Sequence, residues 1–352
     1  MSERVLVTGG LGFIGSAFVR HLAREGREVV NVDAGTYAAD EQRIAEAVRC
    51  LGDHRIRTSR IDVASPAFAE FVRRERPSLI VHLAAETHVT RSEWDEERFT
   101  HSNVEGTRTL LMAAETIDPQ LIVHVSTDEI YGPCAGPPFR ESDAPADGSY
   151  ATSTYARSKA VADNLVRSFF RRLPLIVVRP TNCFGPWQHP EKAIPRWITR
   201  ALTGHRLPVW GDGMQVRDWM YVDDAVAGLA ALAERGSPGE VYNLAPEGPS
   251  VRNIEMARAI ARAANRSDDA VYLTEYDRPL HDRRYAINAS KIKALGWGAT
   301  KSIEERLMES VEWYRGHMDW WGPLVAEAES LYGDVVERAH HDFGQDRRGL
   351  PN

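Results

Sequence analysis

A short β-branched run, Val5-Leu6-Val7-Thr8, leads into Gly9-Gly10-Leu11-Gly12-Phe13-Ile14-Gly15 and then into an amphipathic stretch. Few folds need a strand that turns through closely spaced glycines into a helix. The glycines satisfy two overlapping spacings, Gly10-x-Gly12-x-x-Gly15 and Gly9-x-x-Gly12-x-x-Gly15. One glycine allows the tight turn, one lets a pyrophosphate approach the backbone, and Gly15 lets the helix pack against the strand. The helix N-terminus then offers unpaired N–H groups and a partial positive charge to phosphates. An ordinary strand-to-helix turn also uses glycine, so the context decides. Asp33 closes the second strand, where a carboxylate accepts hydrogen bonds from an adenosine ribose and repels a 2′-phosphate. Turn and acid together predict NAD rather than NADP.

The rest of the first half repeats the strand–helix alternation. Val29–Val32, Leu79–Ala85, Leu121–Ser126 and Leu175–Arg179 are apolar runs bounded by turns, as strands buried on both faces are. Ile14, Phe18 and Leu22 form one helical stripe, closed by Gly26. Val161, Leu165 and Phe169, with Val166 and Phe170 beside them, form another. This alternation predicts an α/β fold, a Rossmann-type doubly wound parallel sheet with right-handed crossovers. After about Asn182, Pro186, Pro190, Pro195, Pro208 and Gly211-Asp212-Gly213 punctuate shorter elements, which suits a smaller mixed α/β lobe. The expected division is 1–184 with 215–244 as the NAD-binding domain and 185–214 with 245–300 as the substrate lobe. Residues 301–352 complete it as a C-terminal helix and charged tail. Asp223–Arg235 and Ser302–Tyr314 read as helices, and Trp320–Asn352 as a tail whose last residues lack fixed structure.

Composition narrows the function classes. The chain has 352 residues, 43% hydrophobic and 26% charged, enough to bury a sizeable core. A formal net charge of −7 gives no basic surface for a nucleic acid, so none is expected as a partner. Cys50, Cys134 and Cys183 have neither metal-ligand nor disulfide spacing, which fits a reducing cytoplasm and no metal. The opening residues show no charged-then-apolar signal, and no apolar run approaches the ~20 residues of a membrane span.

Tyr155-Ala-Arg-Ser-Lys159 opens the second amphipathic helix. Residues four apart share a helical face, so phenol and ammonium can point at one pocket. A lysine cation beside a tyrosine lowers the phenol pKa and lets the phenolate act as base on a substrate hydroxyl while hydride leaves to NAD. An exposed helix face carries such a pair routinely. The dinucleotide turn upstream and a strand ending in Ser126-Thr127 favour the catalytic reading.

Thr8-Gly-Gly-Leu-Gly-Phe-Ile-Gly15, His82-Leu-Ala-Ala85, Asn103-Val-Glu-Gly-Thr107 and Tyr155-x-x-x-Lys159 resemble the extended short-chain dehydrogenase/reductases that act on nucleotide sugars. The resemblance runs from Val5 to about Tyr314. Within it, Val125-Ser-Thr-Asp-Glu-Ile-Tyr-Gly132 bears on the reaction. A hydride transfer needs neither Asp128 nor Glu129, whereas an elimination needs an acid and a base. Oxidation at C4 acidifies the C5 proton, and the C6 hydroxyl must be protonated as it leaves; two carboxyls with separated pKa values can divide that work. From local sequence a solvated acidic turn is as good a reading. The segment is similar to the signature of the dTDP-glucose 4,6-dehydratases.

That resemblance implies Asp128 as acid toward the C6 oxygen, Glu129 as C5 base, Thr127 on the C4 oxygen, and Tyr155 with Lys159 at the C4 hydroxyl. Hydride then returns from NADH to C6, giving a 4-keto-6-deoxy sugar with NAD retained. Cofactor contacts are implied at Gly9, Gly12, Phe13, Ile14, Gly15, Asp33, Thr36, Asp62, Val63, Leu83, Ala84, Ala85, Ser102, Tyr155 and Lys159. The substrate, a nucleoside-diphosphate sugar with dTDP-glucose favoured, is implied at Thr87 and Thr127. Asn182, Arg217, Asn243, Arg278 and His281 are implied at its diphosphate, and Lys192, Pro208 and Trp210 around its base. Arginine suits phosphate through its planar fork. The chain departs from the family pattern at Thr90, Cys183, Ala193, Trp210, Leu280 and Ala34. Helices near Phe99–Thr116 and Thr154–Leu173 resemble those that pair across a homodimer. Two other readings remain: a 4-epimerase or UDP-glucuronate decarboxylase of the same superfamily, for which Asp128 and Glu129 are dispensable, and a non-catalytic dinucleotide sensor, which could lose Tyr155 or Lys159.

Overall fold

The computed structural model describes residues 4–51, 55–144, 149–277 and 281–346. The chain divides into two compact units, residues 1–183 with 216–250 and 282–301, and residues 184–215 with 251–281 and 302–352. This differs from the expected division in three stretches, the first being 245–250, which stay with the first unit. Residues 282–301 rejoin the first unit, and everything from Ser302 onward belongs with the second rather than standing apart as a tail.

The first unit is built on seven strands: β1 (Arg4–Thr8), β2 (Glu28–Asp33), β3 (Ile56–Arg60), β4 (Leu79–His82), β5 (Leu121–Val125), β6 (Leu175–Pro180) and β7 (Glu240–Leu244). Their order is β7-β6-β5-β4-β1-β2-β3, parallel throughout. The order reverses between β1 and β4, the switch point at which doubly wound sheets hold ligands. Strand side chains alternate between faces. Val5, Val7, Val29, Val81, Val123, Ile176 and Val178 enter one core, and Leu6, Val30, Ile80, Ile122, Leu175 and Val177 the other. Helices α1 (Phe13–Arg24), α2 (Gln42–Leu51), α3 (Pro66–Glu75), α4 (Gly106–Ala114), α5 (Thr154–Ser168) and α6 (Val222–Arg235) cross over between strands. Phe18, Leu22 and Leu229 pack on the first face, and Phe68, Phe71, Leu110 and Val166 on the second.

The expected stripe on α1 holds at Phe18 and Leu22, with Ile14 partly buried. On α5 the expected stripe holds at Val166, with Leu165, Phe169 and Phe170 partly buried against the second core, and fails at Val161, which is 49% exposed. The first half of the helix instead buries a small, polar face of Tyr155, Ala156, Ser158, Lys159, Ala160, Ala162 and Asp163, from which Lys159 reaches Val125 O at the carboxyl end of β5.

In the second unit, Leu207–Trp210 pairs in parallel with Val271–Thr274. Helices Ala193–Leu202, Asn253–Ala263 and Ile303–Gly316 pack in the same unit. Ser302 caps the last of these in a reciprocal capping box with Glu305. The expected irregular tail instead begins as helix Met318–Asp346. Trp321 donates to Tyr314 O at 2.7 Å, and Glu329 receives Arg196 and Arg200, each at 2.9 Å. Residues 347–352 lie outside the described residues.

Phe68 is wholly buried where α3 meets the second core. Phe68→Ala should therefore cost about 3–5 kcal/mol, read as a lower urea midpoint at unchanged slope.

Candidate active site

The glycine turn leaves β1 at the sheet's carboxyl edge. Gly9 has φ +72°, and a Cβ there would stand 2.8 Å from both Cα and N of Ala84. A Cβ on Gly15 would stand 2.1 Å from Gly9 O. Gly12 occupies the N-cap of α1 and has no side chain with which to cap, so the first-turn amides at Phe13, Ile14 and Gly15 lack a side-chain acceptor. This arrangement fits a dinucleotide diphosphate. Asp33 is buried and accepts from Leu11 N at 3.0 Å and Gly35 N at 2.8 Å, so it fixes the turn. Leu83 and Ala84 each donate their backbone N–H to the Thr8 hydroxyl at 3.2 Å. That hydroxyl lies 2.7 Å from His82 Nδ1, while His82 Nε2 lies 3.2 Å from the Thr107 hydroxyl, which donates to Asn103 O. Donor accounting leaves Thr8 donating to Nδ1 and His82 protonated at Nε2. Burial, reinforced by the Lys159 charge, lowers His82 to about 3, so its ring is neutral.

The other expected cofactor residues vary. Ala85 and Ser102 are half-buried, Val63 is buried and Thr36 is exposed. Asp62 accepts from Ala64 N at 2.9 Å and pairs with His101 at 2.8 Å. Burial would raise its carboxyl, but those two bonds bring it below its ordinary value. Thr100–Glu105 is wound as a π-helix, and its Asn103 amide is tied to Glu86 N, Glu86 O and Ser158 Oγ.

Asp128 and Glu129 are both buried in the short 3-10 turn Asp128–Tyr131 that follows β5. Thr127 Oγ1 donates to Asp128 Oδ1 at 3.3 Å and accepts from Glu129 N at 3.3 Å, and the Thr181 hydroxyl lies on the same carboxyl. Asp128 Oδ2 has no hydrogen-bond partner among the described residues. Burial first, then the Glu129 charge, pushes Asp128 up to about 7 against the opposing pull of Thr181 and Arg217. The turn is therefore no solvated surface feature. Two adjacent carboxyls are held inside the fold, and one of them keeps its proton near neutrality.

Tyr155 is buried, and Thr127 hydrogen-bonds to its phenol. Its pKa does not fall as the Tyr-Lys spacing led us to expect. Burial, followed by the charges of Glu129 and Asp128, raises it above the ordinary tyrosine value. Lys159 directs its ammonium to Val125 O at 2.7 Å, and burial lowers it to about 8 against the pull of Asp163. Helix α5 is anchored where it begins. Ser153 caps it, Ser92 Oγ accepts from Tyr155 N at 3.0 Å, and Glu93 accepts from Thr154 N at 2.9 Å. Cys183, an unexplained departure at the sequence level, acts electrostatically on Tyr155, and Asp128 acts on it. Burial and that carboxyl push its thiol up to about 12.

The expected substrate residues of the first unit divide. Thr87 is exposed beyond β4. Asn182 keeps a buried amide oxygen without a partner among the described residues. Arg217 is buried, donates to Val216 O at 2.8 Å and Asp282 O at 2.9 Å, and lies over the Tyr285 ring at 4.3 Å. Asn243 is a correction. Its amide donates to Phe139 O and Asn288 O, its oxygen accepts from Tyr131, and its backbone N–H goes to Glu141, so no donor is left for a phosphate. In the second unit, Pro208 is buried and its carbonyl accepts from Trp197 at 2.7 Å. Lys192 stands at the N-cap of Ala193–Leu202. Trp210 meets Tyr276, His281 and Tyr332 edge-on, with centroids 5.2, 6.3 and 5.4 Å away, and His281 pairs with Asp277 at 2.7 Å. Arg278 lies outside the described residues. Among the described residues, no cluster of three or more His, Cys, Asp or Glu could hold a metal ion, and no helix is long and apolar enough to cross a membrane.

Residues 5–245 match the model of the NAD dependent epimerase/dehydratase family. The low-salt glycan biosynthesis protein Agl12 of Haloferax volcanii is 42% identical, over 89% of this chain and 98% of its own. The dTDP-glucose 4,6-dehydratase of Streptomyces griseus is 40% identical, over 92% and 98%. Among solved structures, the dTDP-glucose 4,6-dehydratase DesIV of Streptomyces venezuelae, with NAD bound, superposes with a TM-score of 0.84 at 38% identity, covering 91% of this chain and 99% of its own.

The electrostatics of Asp128 carry a stability signature. Its folded pKa of about 7 lies above the roughly 3.9 of an unfolded aspartate, so between those values the folded state holds the extra proton. Stability is then lost as pH rises through 7. Asp128→Asn removes this loss, so its thermal midpoint should gain on wild type between pH 5 and pH 8. A gap that stays constant across that range would show that Asp128 does not titrate there.

Proposed function

The chain belongs to the NAD dependent epimerase/dehydratase family, and from that premise we propose that it is a dTDP-glucose 4,6-dehydratase, a hydro-lyase that makes a 4-keto-6-deoxy sugar nucleotide. The observation that carries this reading is the buried pair Asp128 and Glu129 beside Tyr155, with the Asp128 carboxyl pushed up to about 7. Epimerisation at C4 has no use for an acid and a base one residue apart.

The glycine turn, the first-turn amides of α1, Asp33, and Lys159 would hold NAD. Bound there, NAD would supply a hydride acceptor for C4 and a hydride donor for C6. Tyr155 receives the C4 hydroxyl proton, with the Thr127 hydroxyl fixing that oxygen. In the resting site burial and Glu129 keep the phenol protonated, so its ionisation needs positive charge brought close. Lys159 is the cation the chain contributes. Once C4 is a carbonyl, the Glu129 carboxylate removes the acidified C5 proton. Asp128, still protonated near neutral pH, delivers its proton to the C6 oxygen and water leaves; the proton held by Glu129 returns to C5 as C6 receives hydride. The division of labour follows from environment: the carboxyl with the orphaned oxygen and raised pKa is the donor. Arg217 and Asn182 are assigned to the diphosphate side of the substrate. In the second unit, Trp210 within its aromatic surroundings is assigned to base stacking, with Lys192, Pro208, His281 and Arg278 as further nucleotide contacts.

Two coarser properties follow the same reading. A cytoplasmic location fits three cysteines of which none is paired. A homodimer fits apolar side chains left in water on two neighbouring helices, Met112 on α4 at 58% and Val161 on α5 at 49% exposure.

Incubation with dTDP-glucose and no added NAD should yield a product lighter by one water that absorbs in alkali as a keto sugar. A product of unchanged mass altered only at C4 would overturn the dehydratase reading, as would loss of CO2 from a uronic analogue. Glu129→Gln and Asp128→Asn should each slow dehydration by about 100- to 10,000-fold while C4 oxidation persists. For assembly, light scattering at micromolar concentration should give twice the chain mass, and Met112→Glu with Val161→Glu should return it to one.

A further inference from the structure

Lys159 is 4% exposed, and the hydrogen bond of its ammonium to Val125 O supplies no charge to balance it. A cation so placed needs an anion nearby. The groups around it come from several elements. β4 contributes His82 and β5 contributes His124; burial holds both rings far below the ordinary histidine pKa, so both are neutral. Tyr155 shares its helix, and the charges of Asp128 and Glu129 act on that phenol. The anion acting on Lys159 is Asp163, one turn further along α5 and on the same face.

Asp163 is itself held in a fork. Arg179 on β6, fully buried, grips it through Nε at 2.9 Å and Nη2 at 2.8 Å. The third guanidinium nitrogen donates to Tyr131 Oη at 2.7 Å and to Glu141 O at 2.9 Å, and Tyr131 donates to Asn243 at 2.6 Å. Tyr131 closes the turn that carries Asp128 and Glu129. One chain of hydrogen bonds thus joins Asp163, whose charge acts on Lys159, to the acidic turn after β5.

Resting on the dehydratase reading, we propose that the Asp163–Arg179 pair is a positioning device with two tasks. It keeps Lys159 a cation, and through Tyr131 it pins the Asp128–Glu129 turn to the helix bearing Tyr155. A purely structural ion pair would stabilise the fold without touching the protonation of its neighbours. Here the carboxylate acts on a lysine that stands in the site, so its removal must move a pH profile.

Asp163→Asn, purified as holoenzyme, tests the first task by retention of NAD across pH without any sugar. With its anion gone, Lys159 deprotonates more readily, and the pH at which half the NAD is lost should fall by about one unit or more. Asp163→Glu should keep the wild-type profile. Because Asp163→Asn strands a buried guanidinium, Asp163→Asn with Arg179→Met is the companion variant; it removes a cation along with the anion, so a smaller displacement in the same direction is expected. A wild-type profile in either folded variant would overturn the proposal. Tyr131→Phe tests the second task and decides the matter should the Asp163 variants not fold. It keeps every charge, so turnover should fall about tenfold with KM and pH profile unmoved, and unchanged turnover would overturn it. NAD retention is read without substrate, so failure of dTDP-glucose to lose water would sink the dehydratase reading and leave this result standing.

Discussion

The turn after β1 runs so close to the chain leaving β4 that not even a methyl group fits between Gly9 and Ala84. Much of the first unit follows from that approach. It brings the Thr8 hydroxyl under the amides of Leu83 and Ala84, and that hydroxyl stitches the two strands where the sheet order reverses. Helix α1 then starts at Gly12, which has no side chain with which to cap the first amides. A phosphate site is then a consequence of how tightly two strands and a helix meet. No dedicated cation is needed, in keeping with a chain of net charge −7.

The second constraint is the placement of charge at the end of β5. Asp128 has the Thr127 hydroxyl on Oδ1, no hydrogen-bond partner on Oδ2 among the described residues, and a charged neighbour, and burial first of all raises it to about 7. The same burial that equips Asp128 as an acid works against Tyr155, whose phenol is raised by the very carboxylates it must cooperate with. Cys183, with its thiol near 12, stays protonated through the same physics.

How much of this was legible in the sequence depends on the span of each feature. The glycine turn, Asp33 and the Tyr-Lys pair are local, with spacings fixed by one turn or one helix, and the residues fell where those spacings put them. Hydrophobic periodicity found the half of α5 that meets the second core but misled at Val161, because the first half of the helix buries a lysine, an aspartate and several hydroxyls instead. Asn243 misled because its partners, Tyr131 and Phe139, lie more than a hundred residues away, and only the fold reveals that its donors are engaged. Asp163 and Arg179 passed unnoticed for the same reason. The helix Met318–Asp346 was hidden by its charge and by Pro323, which sits early in the helix; a proline is tolerated best near a helix N-terminus.

Long-range pairs of this kind explain why the site can be rigid without being apolar. Each buried charge has a specific answer: Lys159 answers to Asp163, Asp163 to Arg179, and Arg179 to a phenol and a carbonyl. Replacing such a pair with hydrophobic residues is often neutral or even favourable for stability, so folding alone gives little reason to bury it. Its distinctive property is that it fixes two backbone segments by direction as well as by distance, through a bidentate fork and a phenol that accepts from one side and donates to the other. An acid and a base that must reach neighbouring carbons of one sugar need directional control of that kind, and a packed aliphatic core does not supply it.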